Sequence, residues 1–142
     1  METKQQTNSA GRAIRIGRSF FGRDTCLRFE QNDAGAWMML GRKNGQGWVW
    51  QKAKLNPMEL GDIVCVLEGR SAQAGFFHTF DKEGVKKETR INVNKAEDGP
   101  NVFFRIGEQG KPLNPGEQAV LKAFLERALF EGCADDWQPE VN

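Results

Sequence analysis

The sequence predicts an α+β fold in which two ββββα repeats form two antiparallel sheets, with two helices packed on one side. Short runs that alternate apolar and polar residues, as strands do, are separated by turns rich in Gly, Asn and Asp. Two helix starts share the pattern Leu-Asn-Pro-x-Glu, one at Leu55 and the other at Leu113. Because each start follows a set of strand-like runs, the same order of elements recurs along the chain.

The first half is expected to form a four-stranded meander. Leu27 and Phe29 share one face of the second run, and Ala36, Met38 and Leu40 share one face of the third. An Asn-Gly turn between the third and fourth runs is a strong hairpin signal. The four predicted strands are Arg12–Phe21, Thr25–Gln31, Gly35–Lys43 and Gly47–Ala53.

A helix is predicted after these strands. Asn56 is a capping residue, Pro57 takes the first helical position and Glu59 the third, and apolar residues recur at helical spacing until Gly69. The second half repeats this scheme, with a wide apolar stripe on the helix that opens at Asn114. We expect the two helices to mediate self-association, because one small domain cannot cover both. The strands predicted here are Ala74–Asp81, Val85–Lys95, Asn101–Gly107 and a short one around Pro112.

Composition sets the class of protein. Hydrophobic residues make up 39% of the chain and charged residues 27%, as in ordinary globular domains, so disorder from end to end is excluded. No apolar run approaches the roughly 20 residues of a membrane helix. Residues 1–9 carry neither the apolar stretch of a secretory signal nor the arginines of a transit peptide, so a cytoplasmic location is expected. We divide the chain into a tail (1–11), one domain (12–131) and an acidic tail (132–142).

The residues that usually carry catalysis are sparse. Cys26, Cys65 and Cys133 are far apart and form no CxxC pair, so they predict neither a disulfide frame nor a zinc site. His78 is the only histidine, which excludes a multi-histidine metal site and is typical of a packed, hydrogen-bonded residue. No GxSxG, P-loop or GxGxxG motif is present. The sequence therefore predicts a binding module with no catalytic residue, no metal and no cofactor; the alternative, an enzyme that uses His78, requires a pocket around that residue.

Aromatic residues alternate with Lys and Arg on several predicted strands, as single-stranded nucleic acid requires. Unpaired bases stack on aromatic rings, at about 1–3 kcal/mol per base, while cations contact the phosphates. A protein that recognises double-stranded DNA would instead carry a basic helix, whereas the helices predicted here are apolar or acidic. Taken singly, tryptophans at sheet spacing are more often core residues. The stacking candidates are Phe20, Trp48, Trp50 and Phe103, and the phosphate candidates are Arg12, Arg15, Arg18, Arg28, Arg42, Lys43, Lys52, Lys86, Lys87 and Arg90.

Several segments resemble the Whirly family of single-stranded DNA-binding proteins. The helix starts are also similar to those of the positive cofactor four coactivators, whose single ββββα unit resembles half of this chain. The C-terminal helix, from Glu117 through Phe130, is similar to the last helix of Whirly proteins. The other segments are Trp50-Gln51-Lys52, Glu59–Ile63, Leu67-Glu68-Gly69, Phe76-Phe77-His78, Val85-Lys86-Lys87, Ile91-Asn92-Val93 and Asp98-Gly99.

This resemblance implies sequence-tolerant binding of single-stranded DNA across the sheets and a dimer or tetramer held by the helices. It implies a role in transcription, as a polymerase cofactor, or in replication and recombination. Single-stranded RNA is the alternative ligand, and an adaptor that recruits a polymerase is the alternative function. The missing transit peptide and lysine-glycine-lysine-rich strand motif favour a bacterial or phage protein. Asp135-Asp136-Trp137 is similar to the tails by which such single-strand binders recruit replication partners.

Overall fold

A computed structural model describes residues 14–133, which form two four-stranded antiparallel sheets, each followed by a helix. Both sheets are meanders in which strands that are consecutive along the chain are hydrogen-bonded neighbours. Sheet 1 contains β1 (Ile14–Phe21), β2 (Thr25–Asn32), β3 (Gly35–Asn44) and β4 (Gly47–Leu55), and leads into α1 (Pro57–Leu67). Sheet 2 contains β5 (Gln73–Lys82), β6 (Val85–Lys95), β7 (Val102–Ile106) and β8 (Gln109–Leu113), and leads into α2 (Pro115–Cys133).

The predicted fold class is therefore confirmed, down to the short eighth strand. The main differences are at strand ends. β4 continues two residues past the predicted end at Ala53, because Leu55 remains paired with Ala36 and is buried. The first predicted residue of β1, Arg12, lies outside the described residues. Within the described residues, no helix is long and apolar enough to cross a membrane.

Both helices begin with the same reciprocal pair of hydrogen bonds. The backbone N–H of Glu59 donates to Oδ1 of Asn56 at 2.8 Å, and the Asn56 N–H donates to Oε1 of Glu59 at 2.9 Å. At α2 the Glu117 N–H donates to Asn114 Oδ1 at 2.9 Å, and the Asn114 N–H donates to Glu117 Oε1 at 3.0 Å. These capping boxes satisfy two backbone donors that a helix start leaves unpaired. The repeat seen in the sequence is thus a repeat of local structure.

The two sheets and the two helices share one hydrophobic core. We call the sheet face that lines this core the inner face, and the opposite face the outer face. Near the centre, the Phe29 ring of sheet 1 meets the Phe104 ring of sheet 2 edge to face, with centroids 6.1 Å apart. Leu60 and Ile63 of α1 and Leu121 and Leu125 of α2 belong to the same buried cluster. Because both described helices pack into this core, neither of them lies over an outer face.

Replacing Asn56 by Ala is expected to lower the free energy of unfolding by about 1 kcal/mol, because the N–H of Glu59 loses its acceptor. Urea denaturation followed by circular dichroism measures this change. Asn56→Ser should retain most of the stability, because serine caps helices as well as asparagine does. Equal stability of the Ala variant and the wild type would contradict this role of the cap.

Candidate nucleic-acid interface

The outer face of sheet 1 is organised in rows of side chains that run across the strands. Strand residues alternate between faces, so successive cross-strand partners on one face form a row. The first row crosses all four strands and consists of Phe21, Cys26, Gly41 and Trp50. The second consists of Ser19, Arg28, Met39 and Lys52, and the third of Gly17, Glu30, Trp37 and Lys54. Lys43 and Trp48 are paired beside the first row.

Three aromatic side chains of this face form a cluster, which we call the aromatic platform: Phe21, Trp48 and Trp50. The two indoles are stacked, with ring centroids 5.9 Å apart and planes inclined by 27°. The Phe21 ring meets Trp48 edge-on at 6.4 Å, and Phe21 is 68% exposed. Both tryptophans are half-buried. The platform therefore presents aromatic surface to solvent on a rigid strand framework.

The platform depends on a position without a side chain. A Cβ atom at Gly41 would lie 2.8–2.9 Å from carbons of the Trp50 six-membered ring, which is closer than such atoms approach. The indole of Trp50 therefore lies directly on the backbone of β3. Cys26, the next residue in the row, is small and fully buried. Burial raises the pKa of the Cys26 thiol, against the lowering effects of a Ser19 hydrogen bond and the nearby charges of Arg28 and Lys111, so the thiol stays protonated at neutral pH.

Lysines follow the same face beyond the platform. Lys43 is the cross-strand partner of Trp48, Lys52 of Met39 and Lys54 of Trp37. All three are exposed, and none forms an ion pair with another described residue. They place three exposed ammonium groups along β3 and β4. Such groups can approach phosphates whose bases stack on the platform.

Arg28 is on the same face, but its guanidinium is already held. Its Nε donates to Oε1 of the buried Glu30 at 2.8 Å, and Nη1 donates to Ser19 Oγ at 2.8 Å. The guanidinium also covers Gly17, where a Cβ would lie 2.4 Å from Nη2. Glu30 therefore balances the Arg28 charge within the sheet. Arg28 is therefore less available to bind a phosphate than a cation without an ion pair would be.

The outer face of sheet 2 carries a second, more dispersed set of candidates. Phe77 is 59% exposed, and Cζ of Arg90 lies 4.5 Å from its ring centroid, within cation–π range. Phe103 is 39% exposed and pairs with Asn94. Lys86, the cross-strand partner of Asp81, is on the same face. Aromatic and basic groups thus occur on both sheets.

Four of the predicted site residues lie elsewhere. Phe20 is only 6% exposed and packs in the core opposite Leu27, so no base can reach its ring. Arg18, Arg42 and Lys87 are exposed but belong to the inner side of their strands. The structure brings together Arg28, Lys43, Trp48, Trp50 and Lys52 on sheet 1, and Lys86, Arg90 and Phe103 on sheet 2.

Some predicted groups fall outside what the structure describes. Arg12 and the tail motif Asp135-Asp136-Trp137 lie outside the described residues. Arg15 belongs to β1, but its side chain is not among those described. These candidates remain predictions from the sequence.

Phe21 and Phe77 are functional candidates that the sequence did not predict. Phe21 directly follows Phe20, and Phe77 directly follows Phe76. A shift of one residue in a strand exchanges its two faces, so either phenylalanine of each pair could be the exposed one. The sequence carries a signal for Phe21, because Leu27 and Phe29 share one face of β2 and the residue of β1 that pairs with Leu27 must share that face too. The short turn at Gly22–Asp24 pairs Phe20 with Leu27, which sends Phe20 inward and Phe21 outward.

The single histidine has a structural partner. Nε2 of His78 lies 2.7 Å from Oε2 of Glu59, the same carboxylate that completes the α1 cap. This contact joins β5 to the start of α1 and bears out the prediction that His78 is hydrogen-bonded. In the described part of the chain, no three His, Cys, Asp or Glu residues are placed to hold a metal ion.

Comparison with known proteins supports the fold. The chain is similar to the crystal structure of WHY1 from Arabidopsis thaliana, with a TM-score of 0.67 over 87% of this chain and 93% of that chain. Their sequences are 18% identical, so the likeness shows the fold alone. No protein-family model and no curated protein matches the sequence. The expected Whirly-like arrangement of two ββββα units is confirmed at the level of structure.

Replacing Gly41 by Val is expected to lift the Trp50 indole off β3, because the new side chain occupies the position of the ring. The exciton signal of the stacked indoles in circular dichroism should then weaken, while the strand persists because valine favours strands. Gly61→Ala is the control, since a Cβ there meets no atom within 4 Å. An unchanged exciton signal in the Gly41 variant would contradict the contact.

Proposed function

We propose that the chain binds single-stranded nucleic acid, with DNA as the main ligand, on the outer faces of its sheets. The stacked aromatic platform, beside lysines that form no ion pair with another described residue, carries this proposal. Bases of a single strand expose both faces of their rings, and these stack on indole and phenyl rings whatever the base. The binding is therefore sequence-tolerant.

Charge supports the proposal locally but not globally. The whole chain carries a formal net charge of only +1, so no long-range attraction to a polyanion is expected from the total. On sheet 1, Lys43, Lys52 and Lys54 lie beside the rings that would stack bases. Stacking supplies most of the affinity, and a few phosphate contacts orient the strand. Duplex DNA hides its base faces and should bind poorly.

The biological setting follows from the same proposal. A sequence-tolerant single-strand binder serves transcription, replication or recombination, where strands are transiently unpaired. We assign it no catalytic step and no cofactor. A cytoplasmic location in a bacterial or phage-infected cell, and recruitment of a polymerase by the acidic tail, complete the proposal.

Self-association through the helices is the second part of the proposal. Met58 at the start of α1 is 80% exposed and Phe130 near the end of α2 is 79% exposed. Val120 of α2 is a further exposed apolar residue. These exposed apolar side chains support an interface on the helices. A dimer or tetramer formed there leaves the outer faces of the sheets free.

Replacing Trp48 by Ala is expected to weaken binding to oligothymidine about 5- to 150-fold, because the ring that contacts both Phe21 and Trp50 is lost. Fluorescence anisotropy of a labelled oligonucleotide measures the dissociation constant at several salt concentrations. Affinity should fall with salt with a slope near −0.7 per phosphate contact.

Val49→Ala is the matched control, since Val49 lies between the two tryptophans in β4 but on the opposite face. Oligouridine of the same length tests RNA, and duplex DNA tests strand selectivity. Tighter binding of oligouridine would make RNA the ligand. If the folded wild type binds none of the three at low salt, the proposed function is wrong.

The double variant Met58→Ser and Phe130→Ser is expected to have a smaller mass in solution than the wild type, because it loses the exposed apolar contacts. Light scattering after size-exclusion chromatography gives the mass. Val85→Ser, which removes an exposed apolar side chain from the β5–β6 hairpin, should leave the mass unchanged. A monomeric wild type would overturn this part of the proposal.

A further inference from the structure

A cleft of about 530 Å³ lies at the end of sheet 2 where β6 turns into β7. Asn94 and Phe103, which are cross-strand partners on the outer face, line it together with Lys95 and the loop at residues 96–101. Phe103 is 39% exposed and Asn94 is half-buried, so both side chains can be reached from solvent. The cleft therefore opens on the face where the proposed ligand lies, and it contains one of the stacking candidates.

Hydrogen bonds hold the loop of this cleft in place. The Ala96 N–H donates to the carbonyl oxygen of Asn101 at 2.9 Å, which closes the loop at its base. Nε2 of Gln118, in the first turn of α2, donates to the carbonyl oxygens of Pro100 at 2.8 Å and Leu113 at 2.9 Å. The loop is thus tied to both β8 and α2. A cleft that is already formed loses little conformational freedom when a ligand enters it.

The charges that line the cleft disfavour a phosphate. Glu97 and Asp98 are exposed and form no ion pair with another described residue. The one cation of the lining is Lys95, and its Nζ is directed to the end of α1, where it lies 3.0 Å from the position of a Cβ at Gly69. Two unpaired carboxylates repel a backbone phosphate. A nucleotide at this cleft therefore inserts its base and keeps its phosphate outside.

The side chains of the cleft offer mainly hydrogen-bond acceptors. Ionised Glu97 and Asp98 can only accept, and Oδ1 of Asn94 has no partner among the described residues, while Nδ2 of Asn94 donates to the Lys95 carbonyl at 3.3 Å. Among the four DNA bases, guanine alone presents two adjacent N–H donors, N1–H and N2–H, on its Watson–Crick edge. One carboxylate accepts both, as it does from arginine. Thymine presents a single N–H between two carbonyl oxygens, which a carboxylate repels.

We propose that this cleft is a guanine-selective subsite for one nucleotide of the bound strand, with the base stacked on Phe103 and the carboxylate of Glu97 or Asp98 accepting its N1–H and N2–H. The inference rests on the proposed function and adds one position of base preference to a surface that is otherwise sequence-tolerant. Stacking on the phenyl ring is open to every base, so other sequences still bind. The paired hydrogen bonds select guanine.

Oligothymidines in which one thymine is replaced test the subsite on the wild-type protein. A single guanine is expected to tighten binding about 5- to 10-fold, the low end of what a bidentate contact to a base contributes. Adenine stacks as a purine but lacks the paired donors, and hypoxanthine keeps N1–H but lacks the N2 amino group. Both should lose most of the gain. Competition fluorescence anisotropy measures the dissociation constants, and an equal gain from adenine or hypoxanthine overturns the carboxylate contact.

The double variant Glu97→Gln and Asp98→Asn tests the same contact from the side of the protein. It should bind oligothymidine as well as the wild type or better, and the preference for guanine should disappear. The matched control is Asp81→Asn with Glu88→Gln, which removes two exposed carboxylates from the outer face of the same sheet, outside the cleft. The control should keep the guanine preference. Circular dichroism verifies the fold of both variants, and the base replacements on the wild type decide the question if the first does not fold.

The outcomes separate the two proposals. If the wild type binds oligothymidine and a guanine adds nothing, the guanine subsite is wrong and the proposed function stands. A guanine preference that persists without the two loop carboxylates, or that is lost in the control variant as well, also overturns the subsite. If the folded wild type binds no single strand, both proposals fail.

Discussion

The inner faces of the two sheets bury each other's apolar residues, and the rest of the molecule depends on this shared core. Phe29 and Phe104 meet at its centre, and residues of both helices surround them. Two four-stranded sheets have four faces, and the two helices can cover only one side. Consequently neither described helix lies over an outer face. The arrangement of the layers alone therefore leaves a surface on which an extended ligand could lie.

On the outer face of sheet 1, two large planar side chains lie over glycine residues. Trp50 rests on Gly41, and the Arg28 guanidinium rests on Gly17. In both cases a planar group occupies the space that a side chain at the glycine would take. Flat groups at adjacent rows suit ligands that are themselves flat, which is the shape of a nucleobase.

The strands, the helix starts and the fold class could be predicted from the sequence, because alternation and Asn-Pro-x-Glu capping are local signals. The faces were harder to assign. Phe20 and Phe21 are chemically identical neighbours, and only the pairing of β1 with β2 decides which is buried. The platform could not be predicted for a similar reason. It requires Phe21 of β1 and Trp50 of β4 to share a row, with the small Cys26 and Gly41 between them. Such a row forms only when the registers of the β1–β2, β2–β3 and β3–β4 pairs all agree.

The distribution of charge on this face explains why stacking must dominate the affinity. Glu30 neutralises Arg28, and Arg90 of sheet 2 lies against the Phe77 ring. On the outer face of sheet 1, the cations that form no ion pair within the described residues are lysines on flexible stems, whose individual contacts with phosphate are weak in water. A surface that held phosphates strongly would bind duplex and single strands alike, since both carry the same backbone. Because Arg28 is paired with Glu30 and the two indoles are partly exposed, the outer face of sheet 1 favours the form of nucleic acid whose bases are unpaired.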